Sequence, residues 1–216
     1  MIKSVRSLAC LRCFSALFFA TFAGGCLKEI TEVALPANVN SVVACYPFVL
    51  QVKNSMYRDA TLTSAKVGFY WKESAAHLKE WKVRDIEYEF QPPKDGRSLI
   101  VEADLSDPMT HRAFGSYKPA PTPEDRRDAA PPQPLDLSGV TRDALDVLKI
   151  AQTRGFSGGI EGLCWLELVS WKTGPVWNVH VYTETDIGGH KVIGSKMVAR
   201  IDARSGDVLD DHILRP

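Results

Sequence analysis

Apolar side chains in the C-terminal half of the chain follow first a helical and then a strand-like period. From Ala144 to Ala151 they cover one broad face of a helix, and Arg154-Gly155 supplies a stop. Leu163–Trp171 and Val176–Tyr182 are rich in β-branched and aromatic residues and alternate with a period of two. A short turn separates these two runs, so the pattern predicts a helix followed by a β-hairpin.

The remaining C-terminal residues predict two further strands. Lys196–Asp202 alternates inward and outward, and Asp207–Leu209 begins a last strand. Between them, Asp202 can cap a turn in which Gly206 takes a positive φ. Thr183–Gly194 is polar and contains glycine, and it predicts a loop. One helix followed by a four-stranded antiparallel sheet is an α+β layer.

The N-terminal half predicts a similar order of elements. Ser41–Val52 is apolar and β-prone, and Pro47 places it at a sheet edge or interrupts it. Thr63–Leu78 has apolar residues at helical spacing, whereas Trp81–Phe90 and Ser98–Leu105 read as a hairpin. The shared order is compatible with a duplication, but no residue-level similarity between the halves supports one.

A proline-rich segment separates the two halves. Lys118–Pro134 contains six of the 13 prolines, together with five consecutive charged residues. It has too few apolar side chains to form a core, and we expect an extended connector. The sequence therefore predicts an α+β protein with two small helix-on-antiparallel-sheet domains, 26–117 and 135–216, joined by a Pro-rich linker.

The first 25 residues have the three parts of a secretory signal peptide. The charged residues Lys3, Arg6 and Arg12 precede a short apolar run, Cys13–Phe22, and small residues follow at 23–25. The apolar run is too short for a comfortable transmembrane helix. Residues 1–25 are accordingly interpreted as a signal peptide.

Ala23-Gly24-Gly25-Cys26 resembles the lipobox of bacterial lipoproteins, although Ala23 stands where that family usually has a larger aliphatic residue. The resemblance implies that Cys26 is lipidated and becomes the new N-terminus. The expected location is then the bacterial cell envelope, lipid-anchored to a membrane and facing the periplasm or the exterior. Ordinary signal-peptidase cleavage nearby is the alternative.

Charge excludes some classes of function. The 216 residues carry 26 basic and 26 acidic side chains, and removal of residues 1–25 leaves 23 basic groups against 26 acidic ones, a net charge of −3. A general nucleic-acid binder needs a strong basic excess, so no nucleic-acid partner is expected. Beyond the N-terminus no apolar run reaches 18 residues, which excludes a polytopic membrane protein.

Cysteine usage suggests a covalent link between the halves. Cys10 and Cys13 leave with the signal peptide and Cys26 takes the lipid, so Cys45 and Cys164 remain. Paired thiols in an oxidising compartment predict a disulfide. Two separate buried thiols are the alternative. Neither cysteine has neighbours at metal-ligand spacing, and no metal site or cofactor is expected.

Residues Ile201–Leu209, with the pattern Asp-Ala-x-Ser-Gly, resemble the closing hairpin of PepSY domains. The preceding helix and strands occur in the order of that family, and the resemblance covers about residues 138–212. It implies a helix-on-sheet fold and a role in peptidase inhibition, chaperoning or envelope regulation. A cystatin-like or other helix-on-sheet domain is the alternative.

No catalytic motif is present, and no catalytic residue is assigned. Trp165 and Trp171 share one face of a strand whose opposite face is also apolar, and His180 lies on the outward face of the next strand. These three residues are the candidate partner-binding face. We therefore expect a non-enzymatic binding or regulatory module with a protein partner in the envelope. The alternative is an envelope hydrolase or carbohydrate-active protein that uses His180 and four strand acids, Glu87, Glu89, Glu102 and Asp104.

Overall fold

A computed structural model describes most of the chain after residue 30. The described residues are 31–73, 79–93, 97–107, 109–118, 132–155, 164–172, 174–187 and 190–211. The signal peptide, Cys26 and residues 119–131 of the predicted linker lie outside this part of the chain.

The described residues form one large antiparallel sheet with helices against it, which confirms an α+β fold. The helices are α1 (Val42–Met56) and α2 (Ala144–Thr153), with a short 3-10 helix at Leu137–Gly139. The strands are β1 (Glu32–Ala34), β2 (Thr61–Glu73), β3 (Lys79–Gln91), β4 (Leu99–Asp104), β5 (Arg112–Tyr117), β6 (Cys164–Trp171), β7 (Gly174–Ile187), β8 (His190–Asp202) and β9 (Val208–Asp211). Their order across the sheet is β1-β5-β4-β3-β2-β6-β7-β8-β9.

Both halves of the chain contribute to this one sheet. The first long strand of each half forms the connection, because β2 pairs antiparallel with β6 from Ser64↔Val169 to Phe69↔Cys164. On each side of that pair the chain has the same order, a helix followed by four antiparallel strands (α1 with β2–β5, α2 with β6–β9). The sheet therefore continues across the boundary at which two separate domains were predicted. Independent folding of each half stays a prediction.

The core lies between the helices and one face of the sheet. Helix α1 packs on β1, β4 and β5, and α2 packs on β3 and β7. Gly115 of β5 lets α1 approach closely, since a Cβ there would lie 2.1 Å from the Met56 sulfur. The largest fully buried side chains include Trp177, Tyr88, Phe69, Phe90, Ile86, Leu99, Leu148, Leu166, Leu168 and Ile201. The opposite face of the sheet carries no described helix.

The C-terminal half confirms most of its predicted elements. Helix α2 begins after Asp143, whose carboxylate accepts the backbone N–H groups of Leu145 and Asp146. The predicted hairpin is formed by β6 and β7. In the turn after β8, Asp202 accepts the backbone N–H of Ser205 at 2.8 Å, and Gly206 has φ +82°. The turn chemistry is the one that the sequence predicted.

The predicted loop at Thr183–Gly194 was wrong. Strand β7 runs to Ile187 and β8 starts at His190, so most of this segment is a long hairpin. Threonine, valine and isoleucine residues favour strands, and each strand of the hairpin provides the backbone hydrogen-bond partners of the other. Val192 and Ile193 of this hairpin are 45% and 67% exposed.

The strand predicted at Ser41–Val52 was also wrong, because this segment is helix α1. Its buried residues, Val42, Cys45, Val49 and Val52, recur at helical spacing. Ser41 caps the helix by accepting the backbone N–H of Ala44 at 3.2 Å. Pro47 removes one backbone donor, but it lies on the exposed side of the second turn.

The helix predicted at Thr63–Leu78 was wrong, because residues 61–73 form strand β2. Ala65, Val67 and Phe69 alternate into the core with a period of two. Strand β2 has irregular register next to Leu62 and Gly68. Strands β3 and β4 confirm the predicted hairpin, whereas β5 was not predicted at all.

The predicted disulfide between Cys45 and Cys164 does not form in this structure, where both are free and buried. Cys45 is in α1, on the part of that helix that contacts Tyr88 of β3. Cys164 of β6 and Val83 of β3 both pair with Phe69 of β2, so they lie at the same height in the sheet. Val83 is five residues before Tyr88 on β3. Five residues of strand span about 16 Å, and a disulfide needs Cα atoms within about 7 Å.

Candidate functional site

The helix-free side of the sheet at the connection between the halves carries a group of aromatic and charged side chains. We call it the junction face and define it by Glu87, Lys66, Trp165, Glu167, Trp171, Asn178, His180 and Arg200, which lie on β3, β2, β6, β7 and β8. One row across the sheet runs from Glu87 through Lys66, Glu167 and Asn178 to Arg200. Residues from both halves therefore meet on one surface.

Trp165 and His180 form the centre of the junction face. They are directly opposite each other on β6 and β7, and their rings stack with centroids 3.7 Å apart and planes 7° apart. The Lys66 ammonium lies 5.7 Å from the centre of the indole ring. The two rings and the cation thus hold one another in place, which leaves little rotamer freedom to lose on binding.

His180 is electrostatically constrained. Its Nε2 atom is buried and has no hydrogen-bond partner among the described residues, and one carboxylate oxygen, Glu167 Oε2, is 3.9 Å away. Burial, with the positive charge of Lys66 as a second cause, lowers the pKa of His180 to about 4. The imidazole is therefore neutral at pH 7 and stacks on Trp165 as an uncharged ring.

Trp171 marks the other end of the junction face. The Arg200 guanidinium lies 4.7 Å from the centre of its ring, and Arg200 Nε donates to Asn178 Oδ1 at 3.0 Å. The Lys172 ammonium is 5.4 Å from the same ring. Both tryptophans of this face are consequently held by neighbouring cations.

A groove of about 650 Å³ opens beside Trp171. Its walls include Ser64 and Glu89 from the N-terminal half and Glu167 and Lys172 from the C-terminal half. Gln133, at the end of the predicted linker, lines the same groove. The groove therefore exists only because β2 and β6 are neighbours.

The end of the predicted linker is fixed to β2. The backbone N–H of Leu135 donates to the carbonyl of Leu62 at 2.8 Å, and the Leu135 side chain is buried. This contact holds the chain that leads into the C-terminal half against the N-terminal half, close to the groove.

The strand acids of the alternative function do not converge on His180. Glu87 lies opposite Lys66, at 3.8 Å, and Glu89 pairs with Lys118 at 3.6 Å. Asp104 accepts hydrogen bonds from Ser106, which lower the pKa of its carboxyl. The carboxylate that the described residues bring to His180 is that of Glu167, at 3.9 Å. Within the described ranges, no group of three or more His, Cys, Asp or Glu side chains is placed to hold a metal ion.

The structure brings two of the three predicted face residues into contact. Trp165 and His180 stack, whereas Trp171 is on the same face but six residues along β6, about 20 Å from Trp165. Sequence reasoning missed Lys66, Glu167 and Arg200. The sequence pattern placed Lys66 in a helix. Glu167 and Arg200 join this face only through strand pairing, which the sequence does not reveal.

Comparisons with protein-family models, with curated proteins and with solved structures found no match to this chain. Among the described helices, neither is long and apolar enough to cross a lipid bilayer.

Proposed function

We propose that this protein is a lipid-anchored envelope protein that acts without catalysis, as a binding or regulatory module. Its partner is a protein of the envelope, and the action is peptidase inhibition or a role in an envelope complex. The observation that carries the proposal is the Trp165–His180 stack at the centre of the junction face. Two helix-on-sheet halves, joined by the Pro-rich linker, present this face as one surface.

The composition of the junction face supports protein binding. Tryptophan and arginine are enriched among the residues that contribute most to the binding free energy of protein interfaces. The junction face has two tryptophans, and each is stacked, Trp165 on the His180 ring and Trp171 against the Arg200 guanidinium. Side chains that are already ordered before binding lose less entropy when a partner arrives. A protein surface can therefore use both pairs as rigid contacts.

The location follows from the N-terminal sequence. The signal peptide at 1–25 directs export and is removed, and the lipidated Cys26 then tethers the protein to a membrane, with the sheet in the periplasm or outside the cell. No polybasic segment accompanies the anchor, so the lipid chains alone supply the membrane attachment.

The alternative is a hydrolase or carbohydrate-active protein that uses the groove beside Trp171. Glu89 and Glu167 line this groove and could bind sugar hydroxyls. Sugar rings stack on open aromatic faces, however, and Arg200 already lies over Trp171. Turnover of a glycan by the purified protein, lost in Glu167→Gln, would replace the binding proposal with this one.

Site-specific photo-crosslinking in cells tests the proposal. A photoreactive amino acid replaces Lys172 at the rim of the groove, and the matched control replaces Lys149, an exposed lysine on α2. We expect a discrete protein adduct from position 172 that disappears when Trp165→Ala is added, and no such adduct from position 149. Adducts that are equal at both positions, or unaffected by Trp165→Ala, contradict the proposal.

A further inference from the structure

Glu102 of β4 lies one strand beyond the junction face and continues its central row. The row runs from Phe114 on β5 through Glu102 and Glu87 to Lys66. Glu102 thus faces a like charge on one side and an aromatic ring on the other. Like charges directly opposite each other in an antiparallel pair are destabilising.

Neighbouring charged side chains are engaged elsewhere. Lys66 pairs with Glu87 at 3.8 Å, and Arg112 pairs with Glu32 at 3.5 Å while its guanidinium lies over the Phe114 ring at 5.4 Å. Lys66, two strands away on β2, and Arg112, on the adjacent β5, are therefore paired with other carboxylates.

The acidic residues next to Glu102 on β3 and β4 also have partners of their own. Arg84 pairs with Asp85, and the Asp104 carboxylate accepts from Ser106 at 2.7 Å. Glu102 is half-buried, and no described side chain forms a hydrogen bond or an ion pair with its carboxylate.

The electrostatics of Glu102 agree with this geometry. Burial raises the pKa of its carboxyl, and the charges of Asp85, Asp104 and Glu87 raise it further, against a smaller opposing effect of Arg84. The chain itself therefore compensates the charge of this carboxylate only in part, through Arg84.

Glu102 is also close enough to the aromatic centre to belong to the same interface. Three strand spacings separate β4 from β6, which is about 14 Å. A protein interface of ordinary size buries about 800 Å² on each partner, a patch roughly 30 Å across. A patch of this width is large enough to contain both the Trp165–His180 stack and Glu102.

We propose that the protein partner of the junction face carries a lysine or arginine side chain that pairs with Glu102. This inference rests on the proposed function, because it assumes that a protein covers the Trp165–His180 stack. A cation from the partner would complete the charge compensation that Arg84 supplies only in part, and a charge-assisted pair at this position would add specificity.

The test uses a defined probe, a phage-displayed library of disulfide-cyclised random heptapeptides selected against the mature protein. Selected peptides are then measured individually against the wild type and against Trp165→Ala, Glu102→Gln and Glu102→Arg. Asp146→Asn, which removes one carboxylate from the far side of the sheet on α2, is the matched control.

We expect peptides that contain lysine or arginine, lose at least tenfold in affinity in Trp165→Ala, and lose about five- to tenfold in Glu102→Gln. Asp146→Asn should leave their affinity unchanged. A peptide in which the basic residue is changed to glutamate should bind Glu102→Arg better than it binds the wild type. Such a charge exchange cannot result from a structural role of Glu102.

Other results separate the two proposals. Peptides that need Trp165 but bind Glu102→Gln as well as the wild type overturn the pairing with Glu102 and leave the proposed function intact. Peptides that are insensitive to Trp165→Ala, or the absence of any selected peptide, overturn the proposed function together with the inference.

Discussion

The imidazole of His180 lies flat on the indole of Trp165, with ring centroids 3.7 Å apart and planes 7° apart. This contact joins β6 to β7 on the helix-free face and buries the His180 Nε2 atom without a hydrogen-bond partner. Protonation of the ring would place an additional charge beside Lys66. The stack is therefore a source of pH-dependent stability.

We expect the protein to lose stability as the pH falls from 7 to 5. The pKa of His180 is about 4 in the folded state and ordinarily about 6.5, so in this window the unfolded chain takes up a proton that the folded chain does not. The loss attributable to His180 is about 1–2 kcal/mol. Urea unfolding at both pH values, for the wild type and His180→Gln, measures it.

Glutamine does not titrate between pH 7 and 5, so His180→Gln should lose less stability over this range than the wild type and show a shallower pH dependence. An equal slope in His180→Gln and the wild type would show that folding does not lower the pKa of His180, in contradiction to the buried, stacked ring of the structure.

Tyr88→Phe should lower the free energy of unfolding by about 1–2 kcal/mol. The Tyr88 hydroxyl is buried and donates to the carbonyl of Val42 at 2.7 Å, so its loss leaves a buried acceptor without this donor. Tyr46→Phe, on the half-buried ring stacked on Tyr88, is the control and should change stability little. Chemical denaturation of both variants provides the measurement, and equal effects would argue against the bond.

Cys45 and Cys164 should react only slowly with a thiol reagent in the folded protein. Burial raises the pKa of Cys45 to about 11 and that of Cys164 to about 12, so neither forms appreciable thiolate at neutral pH. In denaturant without reductant, both should be modified fully. Peptide mass spectrometry identifies the labelled cysteines, and a Cys45–Cys164 crosslinked peptide would contradict the structure.

Replacing Cys26 by serine should release the protein from the membrane fraction into the soluble periplasmic fraction. The acyl chains are the proposed anchor, and serine cannot carry them through a thioether. Fractionation and acyl labelling of the two forms measure the change, with Cys45→Ser as the control for loss of a thiol. Membrane association of Cys26→Ser equal to that of the wild type would exclude the lipid anchor.

Cleavage of the linker should leave the two halves associated. The composition of Lys118–Arg127 predicts that a protease cuts there first. The halves share six paired positions between β2 and β6 and the backbone hydrogen bond from Leu135 to Leu62, so the fragments should elute together under native conditions. Size-exclusion chromatography before and after denaturation tests this, and separate native fragments would argue for independent domains.

Local chemistry in the sequence was sufficient for much of the C-terminal half. In α2 the apolar residues recur at helical spacing only, and in β6 and β7 they alternate with a period of two only, so each segment predicted one kind of element. The Asp202–Gly206 turn is fixed by short-range hydrogen bonds. The same alternation placed Trp165 and Trp171 on one face. Such features depend on residues close in sequence, so they can be recognised without the fold.

The N-terminal half shows where local patterns compete. In α1 the β-branched residues favour a strand and Pro47 disfavours a helix interior, but the apolar stripe of Val42, Cys45, Val49 and Val52 packs on the sheet as a helix. In β2 a chance helical spacing is overridden because pairing with β3 and β6 satisfies its backbone. Tertiary packing decided both elements.

By itself the sequence determined the α+β class, the C-terminal helix and hairpin, and the shared face of Trp165 and Trp171. Only the tertiary structure decided that β2 and β6 are neighbours, and that pairing placed Lys66 and Glu167 on one row. It also separated Cys45 from Cys164. Strand pairing joins residues about a hundred positions apart through backbone hydrogen bonds that every residue type can make, so the side-chain pattern of either strand does not specify its partner.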